Sequence, residues 1–339
     1  AFVLFYPHGH QAHHETGHPE RPERVETIRR ALQSAGWWDP YPCVEPLQLP
    51  GEVLGAIHSQ NYLEYLKTAC ARGQRLDYDT YTTPASWQLA LNAAGGAAAV
   101  ASAVWQRQAR SGFALTRPPG HHANAGHGMG FCLLNNIAIA AEYLLQIHGA
   151  QRLAIVDLDL HHGNGTQDIF YRRVEVFYCS THQFPHYPGT GALEEQGAGL
   201  GNQTNANLPL PALSGDAAFR AAMEEIILPL LDRYNPQMLL VSVGFDTHWT
   251  DPLGSLLLTA QEYGHLIGQL KAWAEVKCQG RIALFLEGGY DLDAGAACAQ
   301  AVTAALLDLT WQDPLGPSPR RETDHWQAVI KRAKALWGL

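Results

Sequence analysis

The run IVDLDLHHGNGTQDIF, residues 155–170, opens as an apolar strand and then sets Asp157, Asp159 and His161 two residues apart. In an extended strand residues i, i+2 and i+4 share a face, so these three polar groups point one way and Leu158 and Leu160 the other. Two carboxylates side by side in a half-buried place repel, and burying them is costly unless something cationic compensates. A divalent ion such as zinc, which takes carboxylate and imidazole ligands, is the economical explanation. The alternative is a solvent-exposed strand end whose acids cap a helix starting near GNGTQDIF.

Three more apolar runs deliver a reactive group just past their carboxyl ends. LLVSVGFD ends in Asp246, ALFLEGGYD passes through a Glu-Gly-Gly turn to Tyr290, and FALTRPPGHH leads to His121 and His122. Singly, each has a plain reading: a turn cap, a core tyrosine, loop polars. Their coincidence at one sheet edge points to a site for hydrolysis. Asp159, His161 and Asp246 would hold a metal ion with a position left open, which would polarise a carbonyl and acidify a water. One histidine would act as base, a second, held by a carboxylate, would support charge, and a tyrosine hydroxyl would donate to an oxyanion. The glycines of HHANAGHGMGF allow close backbone approach and leave Phe131 as an aromatic wall.

These residues need a scaffold that gathers strand ends. Strand-like runs fall at 2–6, 113–117, 152–159, 174–181, 237–244 and 281–289. Most are continuously apolar, as when both faces of a sheet are covered. Helical patterns lie between them, at 21–36, 59–73, 84–108, 135–149, 215–234 and 259–277, and a last one at 324–338. Ser59 reads as a cap, and Thr259 with Glu262 has capping-box spacing. The alternation predicts a parallel α/β sheet with right-handed crossovers, in which ligands bind beyond the carboxyl ends of the strands. No repeat or long linker divides the chain, so residues 1–339 read as a single domain.

Composition narrows the setting. The chain is 46% hydrophobic and 16% charged, enough for a substantial core. No apolar run approaches the roughly 20 residues of a membrane span, and the start, AFVLFYPHGHQ, has no basic leader or small-residue cleavage site. Net charge is −9 and no Lys/Arg cluster occurs, which argues against nucleic acid and anionic lipid as partners. The six cysteines are scattered without a C-x-x-C pair and read as reduced thiols of a cytoplasmic protein. Seventeen histidines stand out, several in HGHQAHHETGH. We read those as loop residues lining a site edge or solvent, although the composition alone suggests metal binding.

The ordered set RPPGHH, GFCLLNN, VDLDLHHGNG, HYPGTG, GFDTHWTDPLG and EGGY, spread between HPERPER (18–24) and EGGYDLDA (287–294), resembles the histone deacetylase family. It is most similar to the class II branch and the bacterial deacetylase-like amidohydrolases. The resemblance implies an arginase-like α/β fold with a central parallel sheet of about eight strands. Asp159, His161 and Asp246 match the zinc ligands. His122 matches the general base and subsequent acid, His121 its electrostatic partner, Asp157 the carboxylate that orients His121, and Tyr290 the transition-state donor. Asn164 stands where class I members carry aspartate, in agreement with class II usage. Phe131 and Tyr187 match the walls of an acyl-lysine tunnel, with the Gly130 carbonyl on it and Leu253 at its rim. Asp79 and Tyr81 are candidates for contacting a substrate backbone. A potassium site would use Asp157, Ser180 and carbonyls of Asp159, His161 and Thr181. A second monovalent site would use carbonyls near Phe170, Arg173 and Val176.

The implied activity is a zinc-dependent amidohydrolase that removes acetyl or other acyl groups from lysine or lysine-like amines. Acetylated polyamines or other small amides are the alternative substrates. Leu253 is apolar where polyamine-specific relatives tend to place glutamate, which argues against that specialisation. Tyr187 adds a hydroxyl where phenylalanine is usual. A module that binds acylated lysine without turnover is disfavoured because every catalytic position is filled. A binuclear ureohydrolase would need D-x-H-x-D where this chain has D-x-D-x-H. The acylated substrate is the expected partner, and a homo-oligomer stays open.

Overall fold

The computed structural model describes residues 1–339. Seven strands form one parallel sheet in the order β1-β2-β7-β6-β3-β4-β5. They are β1 (Phe2–Phe5), β2 (Ser111–Ala114), β3 (Leu153–Asp157), β4 (Val176–Gln183), β5 (Asn205–Leu210), β6 (Leu239–Val243) and β7 (Ile282–Leu286). Around them lie α1 (Glu23–Ser34), α2 (Gly51–Ile57), α3 (Gln60–Ala71), α4 (Ser86–Trp105), α5 (Asn136–His148), α6 (Asn164–Phe170), α7 (Asp216–Ala222), α8 (Leu228–Tyr234), α9 (Ala260–Lys277), α10 (Leu292–Leu307) and α11 (Trp326–Trp337).

All six strands expected from apolar runs are present, and the sheet has seven strands rather than about eight. The additional strand, β5, escapes the apolar criterion because Asn205 and Asn207 interrupt its run and Pro209 reads as a breaker. Its place explains the proline: β5 is an edge strand, where a missing N–H is tolerated. β2 begins two residues early and ends at Ala114, so Arg117 turns off the sheet into a buried polar network.

Neighbouring residues alternate between two cores. Phe2, Leu4, Ala154 and Val156 join a cluster of 52 buried residues. Val3, Phe5, Leu153 and Ile155 join a second cluster of 35 on the other face. This is why the strands are apolar throughout. Full burial of each large side chain contributes roughly 1.5–3 kcal/mol. The Ala/Gly-rich α4 sits close against β1; a Cβ on Gly96 would overlap the Phe5 ring.

Local signals hold with two adjustments. Ser59 Oγ accepts the Tyr62 N–H at 3.2 Å, as expected of a cap. Thr259 Oγ1 accepts the Glu262 N–H at 3.0 Å, but the box is not closed. Glu262 pairs with Arg220 instead, and the Thr259 N–H goes to Asp216 at 2.8 Å. The expected helix over 215–234 is also interrupted: Met223–Ile227 form a π turn between α7 and α8. Pro229 lies just beyond, with no N–H to continue the α register.

Strand order sets where a ligand can bind. From β3 the chain crosses to β4 and toward the β5 edge, while from β6 it crosses to β7 and toward the β1 edge. β3 and β6 are neighbours, so their carboxyl ends flank the switch point, the place where such sheets open a crevice. No helix is long and apolar enough to cross a membrane, and all six cysteines are free.

Candidate active site

β3 stops at Asp157, so Asp159 and His161 do not continue the strand as the alternation suggested. The chain bends instead. Asp157 Oδ1 accepts the Asp159 N–H at 3.1 Å, and Asp159 Oδ1 accepts the His161 N–H at 2.8 Å. Asp246 arrives three residues beyond β6, and its Oδ1 accepts the Leu160 N–H at 3.1 Å. Ligand atoms of Asp159, His161 and Asp246, all buried, fall within 4.8 Å of one another. His161 Nδ1 lies 3.3 Å from Asp159 Oδ1 and 3.1 Å from Asp246 Oδ2. Burial works against protonating His161, but the Asp159 and Asp246 carboxylates lift it to about 9.

Two glycines make the space. A Cβ on Gly244 would overlap the Asp159 carboxylate, and one on Gly288 that of Asp246. The Gly288 N–H donates to Asp159 Oδ2 at 2.9 Å. Two buried carboxylates and one imidazole nitrogen therefore meet in a cradle that no lysine or arginine enters, a donor set that fits zinc.

The paired histidines differ in their supports. His121 Nδ1 is 2.9 Å from Asp157 Oδ2, which also accepts the Tyr178 hydroxyl at 3.0 Å. Burial alone would strip His121 of its proton; Asp157, Asp159 and Glu287 outweigh it and hold the imidazole well above its ordinary value. His122 Nδ1 is 2.7 Å from Asn164 Oδ1. An amide oxygen only accepts, so Nδ1 carries the hydrogen and Nε2 keeps a free lone pair. Burial, then the charges of His121 and His161, hold His122 well below its ordinary value. Behind both, Glu287 accepts the Gly120 and His121 N–H groups at 2.8 and 3.1 Å and the Ser242 hydroxyl at 2.9 Å. Burial pushes Glu287 up to about 7.

A cavity of about 250 Å³ opens over this cluster. His122 and His161 line it together with Gly130, Phe131, Tyr187 and Leu253, the residues expected along the tunnel, and with Asp79 and Tyr290. Gly130 and Phe131 both have positive φ, 55° and 70°, so the chain turns sharply and projects the Phe131 ring. That ring stands edge-on to Tyr290, centroids 5.6 Å apart, while Tyr187 is 5.3 Å from the His122 ring. Burial keeps the Tyr290 hydroxyl far above the ordinary phenol range, so it stays a donor.

Four contributors were not legible in the sequence. His186 lines the cavity, stacks on His161 at 5.2 Å and donates from Nε2 to the Leu253 carbonyl at 3.0 Å. Arg24 donates to the Glu287 and Gly289 carbonyls, both at 2.6 Å, with its guanidinium 4.9 Å from the Tyr290 ring. Glu287 and Asp251 lie inside the motifs EGGY and GFDTHWTDPLG, but contact mainly backbone, which leaves no periodic mark. Two expectations are corrected. Tyr81 is not at the rim; its buried hydroxyl donates to the Glu20 carbonyl at 3.0 Å. The histidine-rich loop is largely internal: His10 and His13 are buried beside Arg117 and Ser86, His18 reaches the Phe131 ring, and His8 and His14 are exposed.

Of the residues expected around monovalent ions, Asp157, Ser180 and Thr181 come together. Asp157 and Ser180 are register partners on β3 and β4. His182 Nε2 faces the Gly191 carbonyl at 2.9 Å and so carries the hydrogen; its Nδ1 then accepts the Ser180 hydroxyl at 2.8 Å. Ser180 Oγ is left as a pure acceptor, suited to a cation. Thr181 Oγ1 lies 3.5 Å from the Asp157 carbonyl. Phe170, Arg173 and Val176 fall on the turn from α6 to β4, where the Phe170 carbonyl accepts the Arg173 N–H at 2.9 Å.

Residues 18–306 match the family profile described as "Histone deacetylase domain". The chain belongs to the histone deacetylase family. Among its relatives, a "Probable deacetylase" of Archaeoglobus fulgidus is 42% identical over 278 residues, 81% of this chain and 77% of that one. A "Histone deacetylase-like amidohydrolase" of Pseudomonas aeruginosa is 36% identical over 305 residues, 88% of this chain and 80% of its own. The crystal structure of the HDA15 HD domain superposes with a TM-score of 0.90 at 32% identity, covering 99% of this histone deacetylase chain and 94% of its own. Membership in this family makes the chain a deacetylase-type hydrolase acting on amides.

Proposed function

We propose that this histone deacetylase family member is a zinc-dependent amidohydrolase of acyl amides carried by lysine or lysine-like amines. One observation carries the reading: the Asp159–His161–Asp246 cluster lies at a cavity whose walls also present His122 and Tyr290. Zinc, when bound by those three residues, supplies Lewis acidity toward the substrate carbonyl and the attacking water. The chain does the rest. Neutral His122 takes the water's proton at Nε2 and returns it to the leaving amine. Protonated His121, anchored by Asp157, offsets negative charge growing beside it. The Tyr290 hydroxyl donates to the developing oxyanion. Phe131 and Tyr187 flank a slender alkyl chain, and Leu253 and Asp79 meet the rest of the substrate at the mouth.

Potassium at the Asp157–Ser180 site, with carbonyls of Asp159, His161 and Thr181, would brace β3 and β4 beneath the cluster. The turn at Phe170, Arg173 and Val176 is the second candidate. The free cysteines suit a cytoplasmic setting. The substrate is the partner this reading requires; nucleic acid and membrane are not among those we expect.

Tyr290→Phe tests the reading. With zinc content unchanged, kcat on an acetyl-lysine peptide should fall about 10²–10³-fold, the usual loss for one oxyanion donor. Full turnover by the variant would contradict it. A preference for acetylated polyamines over acetyl-lysine peptides would move the substrate class and refute the reading of Leu253.

A further inference from the structure

Asp251 lines neither the cavity nor the metal-ligand cluster, yet its carboxylate joins two loops that do. Oδ1 accepts the Leu253 N–H at 3.0 Å. Oδ2 accepts the Tyr290 N–H at 2.7 Å and the Asp291 N–H at 3.2 Å. The residue is 6% exposed, and the hydrogen bonds of its carboxylate are all from backbone N–H groups. Asp291 in turn caps α10, accepting the Ala294 N–H at 2.9 Å. The rim segment after β6, the turn after β7 and the first turn of α10 thus converge on one side chain. The carbonyl side of the same turn is held by Arg24 through Glu287 and Gly289. Its N–H side is held by Asp251.

A buried carboxylate with no cationic partner is costly to keep. A purely structural tie between two loops can be made with a neutral side chain. A carboxylate is required where both oxygens must accept, because an amide offers one accepting edge and turns an NH₂ group toward the other. Here the two edges serve different parts of the site: one fixes Leu253 at the rim, the other fixes the backbone of Tyr290.

We infer that Asp251 is a positioning residue for catalysis: it sets the Tyr290 hydroxyl toward the reacting carbonyl and ties it in register with the Leu253 rim. This rests on the reading of Tyr290 as the oxyanion donor.

A double-mutant cycle tests it, using the zinc-loaded full chain as Asp251→Asn, Tyr290→Phe and both together. Turnover of acetyl-lysine and trifluoroacetyl-lysine peptides is measured, with metal content and unfolding midpoint recorded for each variant. Asp251→Asn should lower kcat on acetyl-lysine about 10–100-fold, with KM changed less than about two-fold. The loss should be much smaller on trifluoroacetyl-lysine, whose electron-poor carbonyl depends less on the donor. On the Tyr290→Phe background the second substitution should add less than about two-fold, because the group it positions is already gone. An equal loss on both backgrounds, or on both substrates, would overturn the inference and leave Asp251 a structural tie. Unchanged turnover by Tyr290→Phe would instead remove the functional reading beneath it. Should Asp251→Asn fail to fold, Asp251→Ser, with room for water to meet the freed N–H groups, enters the same cycle.

Discussion

Asn164 offers His122 a neutral acceptor at 2.7 Å, and that choice sets the base. Burial and the neighbouring imidazoles depress His122, so its Nε2 is unprotonated at neutral pH. A base must be deprotonated to act, so activity is present above its pKa, and the acid limb of kcat/KM should lie below the ordinary imidazole range. Asn164→Asp puts an anion on Nδ1–H and stabilises the imidazolium. The acid limb should then move up by about one pH unit or more, read from pH–rate profiles of both proteins. An unmoved limb would separate that limb from His122. The residue types of this site were legible because acids and histidines at apolar strand ends are hard to explain otherwise. Less legible were residues whose work is stacking or holding backbone, such as His186 and Asp251. A cavity-lining histidine looks like any loop histidine in one dimension.

The segment HPERPER joins α1 to the end of β2 through buried charge. Glu20 accepts Arg24 at 2.9 Å and Arg117 at 2.7 Å, all three fully or nearly fully buried. His13 lies 3.6 Å from the same carboxylate, but burial holds it down to about 3, so it is neutral and adds no ion pair. Burial alone would raise Glu20; Arg117 and Arg24 outweigh it and bring the carboxyl from 4.5 to about 2. A depressed folded value means the contribution is complete above about pH 4.5 and disappears as pH falls toward 2, an amount near 3 kcal/mol. Glu20→Gln strands two buried guanidinium groups and should cost about 3–5 kcal/mol at pH 7 by denaturant unfolding. Its stability should also decline less than that of the unmodified protein as pH falls from about 4.5 toward 2, by the Glu20 contribution. Parallel stability curves down to pH 2 would show that Glu20 is not the group responsible. This network explains why the histidine-rich loop misled the sequence reading: composition reports how many histidines there are, whereas Glu20 and its arginines determine which of them fold inward. β5 misled for a related reason, since its asparagines accompany an edge position that no local pattern announces.

Across the molecule, the alternation of apolar runs and amphipathic helices was sufficient to place reactive groups at one sheet edge. It was not sufficient to order the strands. That β3 and β6 are neighbours, with their crossovers leaving in opposite directions, emerges only from tertiary pairing, and it is what brings Asp246 to Asp159 and His161. The central claim is that this cluster exists to hold one divalent ion. In the metal-free protein the two carboxylates keep His161 protonated up to about pH 9, and a ligand imidazole must be neutral, so metal binding must expel a proton. The direct measurement is zinc titration of exhaustively chelated protein, monitoring heat, proton release and amide hydrolysis together. About one equivalent should restore hydrolysis, about one proton should leave near neutral pH, affinity should rise with pH, and Asp246→Ala should abolish uptake and activity alike. Chelated protein that hydrolyses amides at the original rate, or zinc uptake indifferent to Asp246→Ala, would contradict the claim.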